Sequence, residues 1–99
     1  MTMEALRLLG DRVRLARRER RWTVEDLAAR VGVSPVTIRK VEKGDPTVAL
    51  GTAFEAAALV GVALFDEDPA RRTLEAEYVV ARLAVLPAAV RRGHVNDDF

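Results

Sequence analysis

The feature that most constrains this chain is the run Gly32-Val33-Ser34-Pro35. Glycine stands where a helix ends in a left-handed residue, and Ser-Pro supplies an N-cap followed by the residue best suited to a first helical position. One helix must therefore stop and another start within three residues. Upstream, Thr23 offers a capping hydroxyl, Asp26 sits at the capping-box distance, and Val24, Leu27, Ala28 and Val31 fall at i, i+3, i+4 and i+7, which predicts a helix over Val24–Val31. Downstream, a helix runs from Pro35 to about Lys43, where Gly44 stops it. Two short helices joined so tightly must cross steeply, which requires a small residue at the contact, a turn residue that tolerates positive φ, and long or β-branched apolar residues inside the second helix. Ala28, Gly32, Ile38 and Val41 meet these demands in order, with Leu27, Val31 and Val33 apolar between them.

Three more helices flank this pair. Met3, Leu6, Leu9, Val13 and Ala16 step by 3, 3, 4 and 3, one stripe on a first helix expected over Met3–Arg21. After Asp45-Pro46, Leu50, Phe54, Ala57 and Ala58 mark the expected inner face of a fourth helix ending near Gly61. Asp68-Pro69 opens a fifth, with Leu74, Tyr78, Ala81 and Val85 on one side and Val79, Leu83 and Leu86 on another. Two apolar sides exceed what a monomer's outermost helix needs. The first side is expected to pack on helices one and four, and the second to meet a symmetry mate. Pro87 ends or bends this helix, and the aperiodic remainder reads as a flexible tail. The expected architecture is all-α: one five-helix domain over residues 1–86 with a dimerising fifth helix, and a tail over 87–99.

Composition narrows the function. The 99 residues contain no cysteine and a single histidine, His94. Disulfides, thiol nucleophiles and thiolate metal sites are thereby excluded, and no glycine-rich phosphate loop or base-and-orienter constellation points to an enzyme, a metal or a cofactor. No apolar run approaches the roughly 20 residues that span a bilayer, and the first ten residues lack a leader pattern, so a cytoplasmic protein without membrane contact is expected. The net charge of +1 conceals an asymmetry. Residues 1–44 carry 11 Lys and Arg against 6 Asp and Glu, whereas 45–99 carry 5 against 9. A basic N-terminal half suits phosphate binding, because Lys and Arg release condensed counterions from DNA. Charged helix surfaces are common, however, and charge alone does not settle the partner.

The helix pair settles more. Its grammar is that of a helix-turn-helix, and the short turn and the outward Arg39, Lys40 and Lys43 set it apart from an ordinary helical hairpin. With Ile38 and Val41 pointing inward, helical geometry turns Pro35, Val36, Thr37, Arg39, Lys40 and Lys43 outward.

From Leu9 to Val62, the residues Val13-Arg14, Arg17, Trp22-Thr23, Gly32-Val33-Ser34, Ile38, Glu42 and Gly44 resemble the phage-repressor-like (XRE-type) group of five-helix domains. The resemblance implies that Arg17 pairs with Glu42, tying helix one to helix three, and that Pro35, Val36 and Lys40 occupy base-reading positions. Lys40 can donate to guanine, Val36 can pack on a thymine methyl, and Pro35 can contribute only shape. Thr23, Thr37 and Lys43 suit phosphates, and Ser34 and Arg39 complete the expected DNA-facing set. The family often has glutamine where Val24 stands, so an amide contact to phosphate is missing there.

The segments Gly44–Thr52, Leu86–Arg91 and Asp97-Asp98-Phe99 resemble the antitoxin half of HipA/HipB-type toxin–antitoxin pairs. That resemblance implies a homodimeric repressor of its own operon that also neutralises a HipA-like serine/threonine kinase toxin. Because one recognition helix reads only a few base pairs, a palindromic double-stranded operator bound by a dimer is expected. The acidic ending is then expected to point away from DNA, since phosphates repel it, and either to face the kinase or to serve as a disordered solubilising end. Two alternatives stay open: a solitary regulator without a toxin, and a protein-interaction module that reads no DNA.

Overall fold

A computed structural model describes residues 2–88 of the chain, and the tail beyond Ala88 lies outside the described residues. Among these the structure is helical, with α1 Thr2–Glu19, α2 Val24–Val31, α3 Pro35–Lys43, α4 Leu50–Leu59 and α5 Pro69–Ala84. The chain divides into two compact units, the first ending at Leu64 and the second beginning at Phe65.

In the first unit, α2 and α3 form exactly the span their caps foretell. Thr23 Oγ1 accepts the Asp26 N–H at 3.0 Å while Asp26 Oδ2 accepts the Thr23 N–H at 2.8 Å, a reciprocal box that satisfies two orphan donors. Gly32 takes φ 86° and closes α2 with its N–H on the Ala28 carbonyl. Ser34 Oγ then accepts the Thr37 N–H at 3.3 Å to open α3. At the end of α3, the Gly44 and Asp45 N–H groups donate to the carbonyls of Val41 and Lys40, a Schellman closure.

The core joins all four helices: Val13 from α1, Leu27 and Ala28 from α2, Ile38 and Val41 from α3, Ala56 and Ala57 from α4, and Val60 just after it. α1 crosses α3 closely at Gly10, where an added Cβ would lie 2.5 Å from the Glu42 carbonyl oxygen. Only a residue without a side chain permits that approach. Trp22 seals one edge, half-buried, with the Arg30 guanidinium 4.0 Å from its ring centre.

Two sequence expectations change. α1 ends at Glu19 instead of Arg21, because Arg21 adopts φ 58° and the Arg21 and Trp22 N–H groups donate back to Arg18 and Arg17. The chain thus makes with arginine the left-handed closure that glycine usually makes. On α4 the inner face is Ala56, Ala57 and, following the helix, Val60; of the expected stripe only Ala57 is buried, while Leu50, Phe54 and Ala58 are exposed. The helix is apolar nearly all round, so hydrophobicity alone does not fix its rotation, and small alanines are what the close contact with the other helices accepts.

In the second unit Asp68 Oδ1 caps α5 by accepting the Ala70 N–H at 3.0 Å, with Pro69 at the first position. Arg72 braces the entry by donating to the carbonyls of Asp66 and Glu67. No residue of α5 is buried, and both of its apolar sides, Leu74 and Tyr78 on one and Val79 and Leu83 on the other, are exposed.

Candidate nucleic-acid interface

The candidate surface is built on α3, and its rigidity comes from one buried ion pair. Arg17 Nε donates to Glu42 Oε2 at 2.7 Å and its Nη2 to Oε1 at 3.1 Å, while Nη1 donates to the Trp22 carbonyl at 2.8 Å. Arg17 is 7 % and Glu42 8 % exposed. The bidentate contact raises the Arg17 pKa above its ordinary value against the opposing effect of burial, so the guanidinium stays charged. Through this pair α1, the loop before α2 and the last turn of α3 are held as one piece.

With Ile38 and Val41 locked into the core, α3 turns Val36, Arg39, Lys40 and Lys43 to solvent, with Val36 56 % exposed. Ser34 and Thr23, the N-caps of α3 and α2, are exposed. Pro35 and Thr37 are half-buried, and the Thr37 hydroxyl lies 3.1 Å from that of Ser34, so the two share a hydrogen bond at the tip of α3. Arg39 Nη2 reaches Glu25 Oε2 at 3.2 Å in an exposed pair that ties α3 to the first turn of α2 and that solvent screens heavily. At the N-terminus of α2, hydrogen bonds from the Thr23 backbone and side chain hold the Asp26 carboxyl below its ordinary range. Arg39 and Lys43 are thus brought together with the first turn of α2, and Ser34 with Thr37 at the tip of α3. Val79, Leu83 and Leu86 belong to the second unit and are exposed there.

Two further cations adjoin this surface, neither of them among the residues expected to face DNA. Arg14 and Arg18, one helical turn apart on α1, line a cavity of about 280 Å³ together with Arg17, Val24, Arg39, Glu42 and Lys43. Five cations meet one carboxylate there. The i, i+4 spacing was visible in the sequence, but only the α1–α3 crossing brings those guanidiniums beside Arg39 and Lys43. Such a cluster can hold an anion by charge and by N–H donation. Among the described residues no group of three or more His, Asp, Glu or Cys could hold a metal, and no helix is long and apolar enough to cross a membrane.

A family model described as a helix-turn-helix domain matches residues 8–68, a span that takes in α2, the Gly32 turn and α3. No curated protein and no solved structure matches the chain.

Proposed function

From a chain that belongs to the helix-turn-helix domain family, we propose a sequence-specific DNA-binding repressor that acts as a homodimer on a palindromic operator. The observation that carries this reading is the outward face of α3: Val36, Arg39, Lys40 and Lys43 stand exposed on a helix whose opposite side is locked by Ile38, Val41 and the buried Arg17–Glu42 pair. A helix of that shape enters a major groove with its first turns toward the base edges. Lys40 donates to guanine, Val36 packs against a thymine methyl and Pro35 shapes the approach. Thr23, Ser34, Thr37, Arg39 and Lys43 surround them as phosphate contacts, and Arg14 and Arg18 extend the basic surface along α1.

One such helix reads only a few base pairs, so two copies related by a two-fold axis supply the rest of the affinity and specificity, with half-sites roughly 34 Å apart. α5 is the element we assign to dimerisation: both of its apolar sides are exposed, and Val79, Leu83 and Leu86 form the one expected from the sequence to meet a second copy. The finer role, an autoregulating antitoxin that neutralises a HipA-like kinase, rests on the resemblance of the flanking segments; in that role the acidic ending serves the kinase. The deciding experiment is selection of bound DNA from a random pool. A conserved inverted repeat is expected; enrichment of no sequence at all would leave an interaction module in place of a regulator.

A further inference from the structure

We infer that the second copy binds along the Leu74–Tyr78–Ala81–Val85 side of α5, with the two helices antiparallel and Leu74 set against the partner's Val85. The inference rests on the dimeric reading above, moves its contact from the expected Val79–Leu83–Leu86 side to this one, and adds a direction and a register. These four residues follow one another at intervals of 4, 3 and 4, the repeat of a two-helix seam. At about 100° per residue they fall within an arc of roughly 60°. Three of them lie on α5 and the fourth, its C-cap Val85, keeps a right-handed helical backbone at φ −93°. Leu74 and Tyr78 are 65 % exposed and Val85 73 %, so the whole stripe faces solvent.

Direction follows from size and charge. Antiparallel, Leu74 meets the partner's Val85 and Tyr78 meets the partner's Ala81, so each layer pairs a larger side chain with a smaller one. Parallel, Tyr78 would meet the partner's Tyr78 and Ala81 the partner's Ala81, crowding one layer and hollowing the next. Arg71, seven residues before Tyr78 and therefore on the same seam, would also face the partner's Arg71. The antiparallel arrangement opposes the two helix dipoles as well.

Charge also selects the side. Glu75 and Arg82 lie seven residues apart on one edge of this stripe, and neither forms an ion pair among the described residues. In the stated register Glu75 comes beside the partner's Arg82, and the two-fold axis makes that contact twice. The same construction on the Val79–Leu83–Leu86 side aligns Val79 with the partner's Leu83 and brings Arg82 beside the partner's Arg82, a repulsive contact on the axis.

Because the chain has no cysteine, the register can be read by cross-linking the full chain, alongside sedimentation of charge variants. Leu74→Cys with Val85→Cys should give an oxidised covalent dimer, whereas Leu74→Cys alone should not, since the two Leu74 positions stand about 16 Å apart along the antiparallel axis. Arg82→Glu should raise the dimer dissociation constant roughly tenfold, and adding Glu75→Arg to it should restore the original value. Efficient cross-linking by Leu74→Cys alone, or failure of Glu75→Arg to rescue Arg82→Glu, would overturn the register. A Leu83→Glu chain that is monomeric while Tyr78→Glu remains dimeric would move the contact to the opposite side. A wild-type chain that sediments as a monomer would remove the dimer itself; the operator selection tests DNA reading apart from that.

Discussion

Removing Arg17 should cost the first unit much of its stability, and the size of the loss can be worked from its contacts. The guanidinium supplies both oxygens of Glu42 and the Trp22 carbonyl with donors, in a site where the two charged side chains are each less than 10 % exposed. Arg17→Ala strands a buried carboxylate, a change that costs about 3–5 kcal/mol, and Glu42→Ala strands the cation to a similar extent. Replacing both with apolar residues of similar reach, Arg17→Met with Glu42→Leu, removes both buried charges and leaves only the Trp22 carbonyl without its donor, worth about 1–3 kcal/mol. The double variant should therefore be more stable than either alanine variant. Against a domain stability of about 5–15 kcal/mol the single losses are large. Urea unfolding followed by the fluorescence of Trp22, the chain's only tryptophan, reports on this unit directly. An Arg17→Ala loss under about 1 kcal/mol, or a double variant as unstable as the two singles added together, would refute the reasoning.

The other expectations are narrower. Gly10→Ala should destabilise the first unit by about 1–3 kcal/mol and shift α1 against α3, visible as a lowered urea midpoint and changed amide shifts around Glu42, because the new methyl meets backbone that cannot rotate away. Lys40→Ala should cost about 1–3 kcal/mol on the selected operator and relax preference at one base pair, while Lys43→Ala should weaken specific and random DNA alike and flatten the salt slope, both measured by titration at several salt concentrations. The depressed Asp26 pKa means that its carboxylate stabilises the fold above its ordinary titration range and that this contribution fades as pH falls through the lower folded value; Asp26→Asn should remove that part of the acid limb of a stability–pH curve.

What the sequence disclosed and what it hid divide along the range of the interactions. α2 and α3 were legible to the residue because their ends are written locally, in Thr23 with Asp26, in Ser34-Pro35, and in the glycines after each helix. The end of α1 was less so, since nothing local announces that Arg21 takes a left-handed backbone. The rotation of α4 was illegible for the opposite reason: with apolar residues on every side, its periodicity carries no phase, and the contacts that choose Ala56 over Phe54 come from helices far away in the chain. Gly10 gave no signal of its own, because its purpose is a backbone oxygen 32 residues later. Arg14 and Arg18 gain their place only from the crossing of α1 and α3, which sets them beside Arg39 and Lys43.

The composition of the reading face bears on how such a protein would find its site. Of the three positions assigned to base edges, Pro35 has no side-chain donor, Val36 offers only apolar contact, and Lys40 alone can hydrogen-bond. Around them stand Arg39 and Lys43, with Arg14 and Arg18 beyond, all cationic and indifferent to sequence. A single copy of this surface would hold DNA mainly through phosphates and discriminate weakly, since one good base contact is worth only about 1–3 kcal/mol. Pairing two copies doubles the discriminating contacts while fixing their spacing, so a sequence that mismatches either half, or spaces the halves wrongly, loses affinity. Val36 adds discrimination of a second kind, because a thymine methyl fills the space before it and another base leaves that space to water. On these grounds the operator should contain a guanine and a thymine in each half-site, in mirrored order. A chain whose α5 seam is disrupted should lose affinity for random DNA through its halved phosphate contacts, and lose still more on that operator, so that its preference falls.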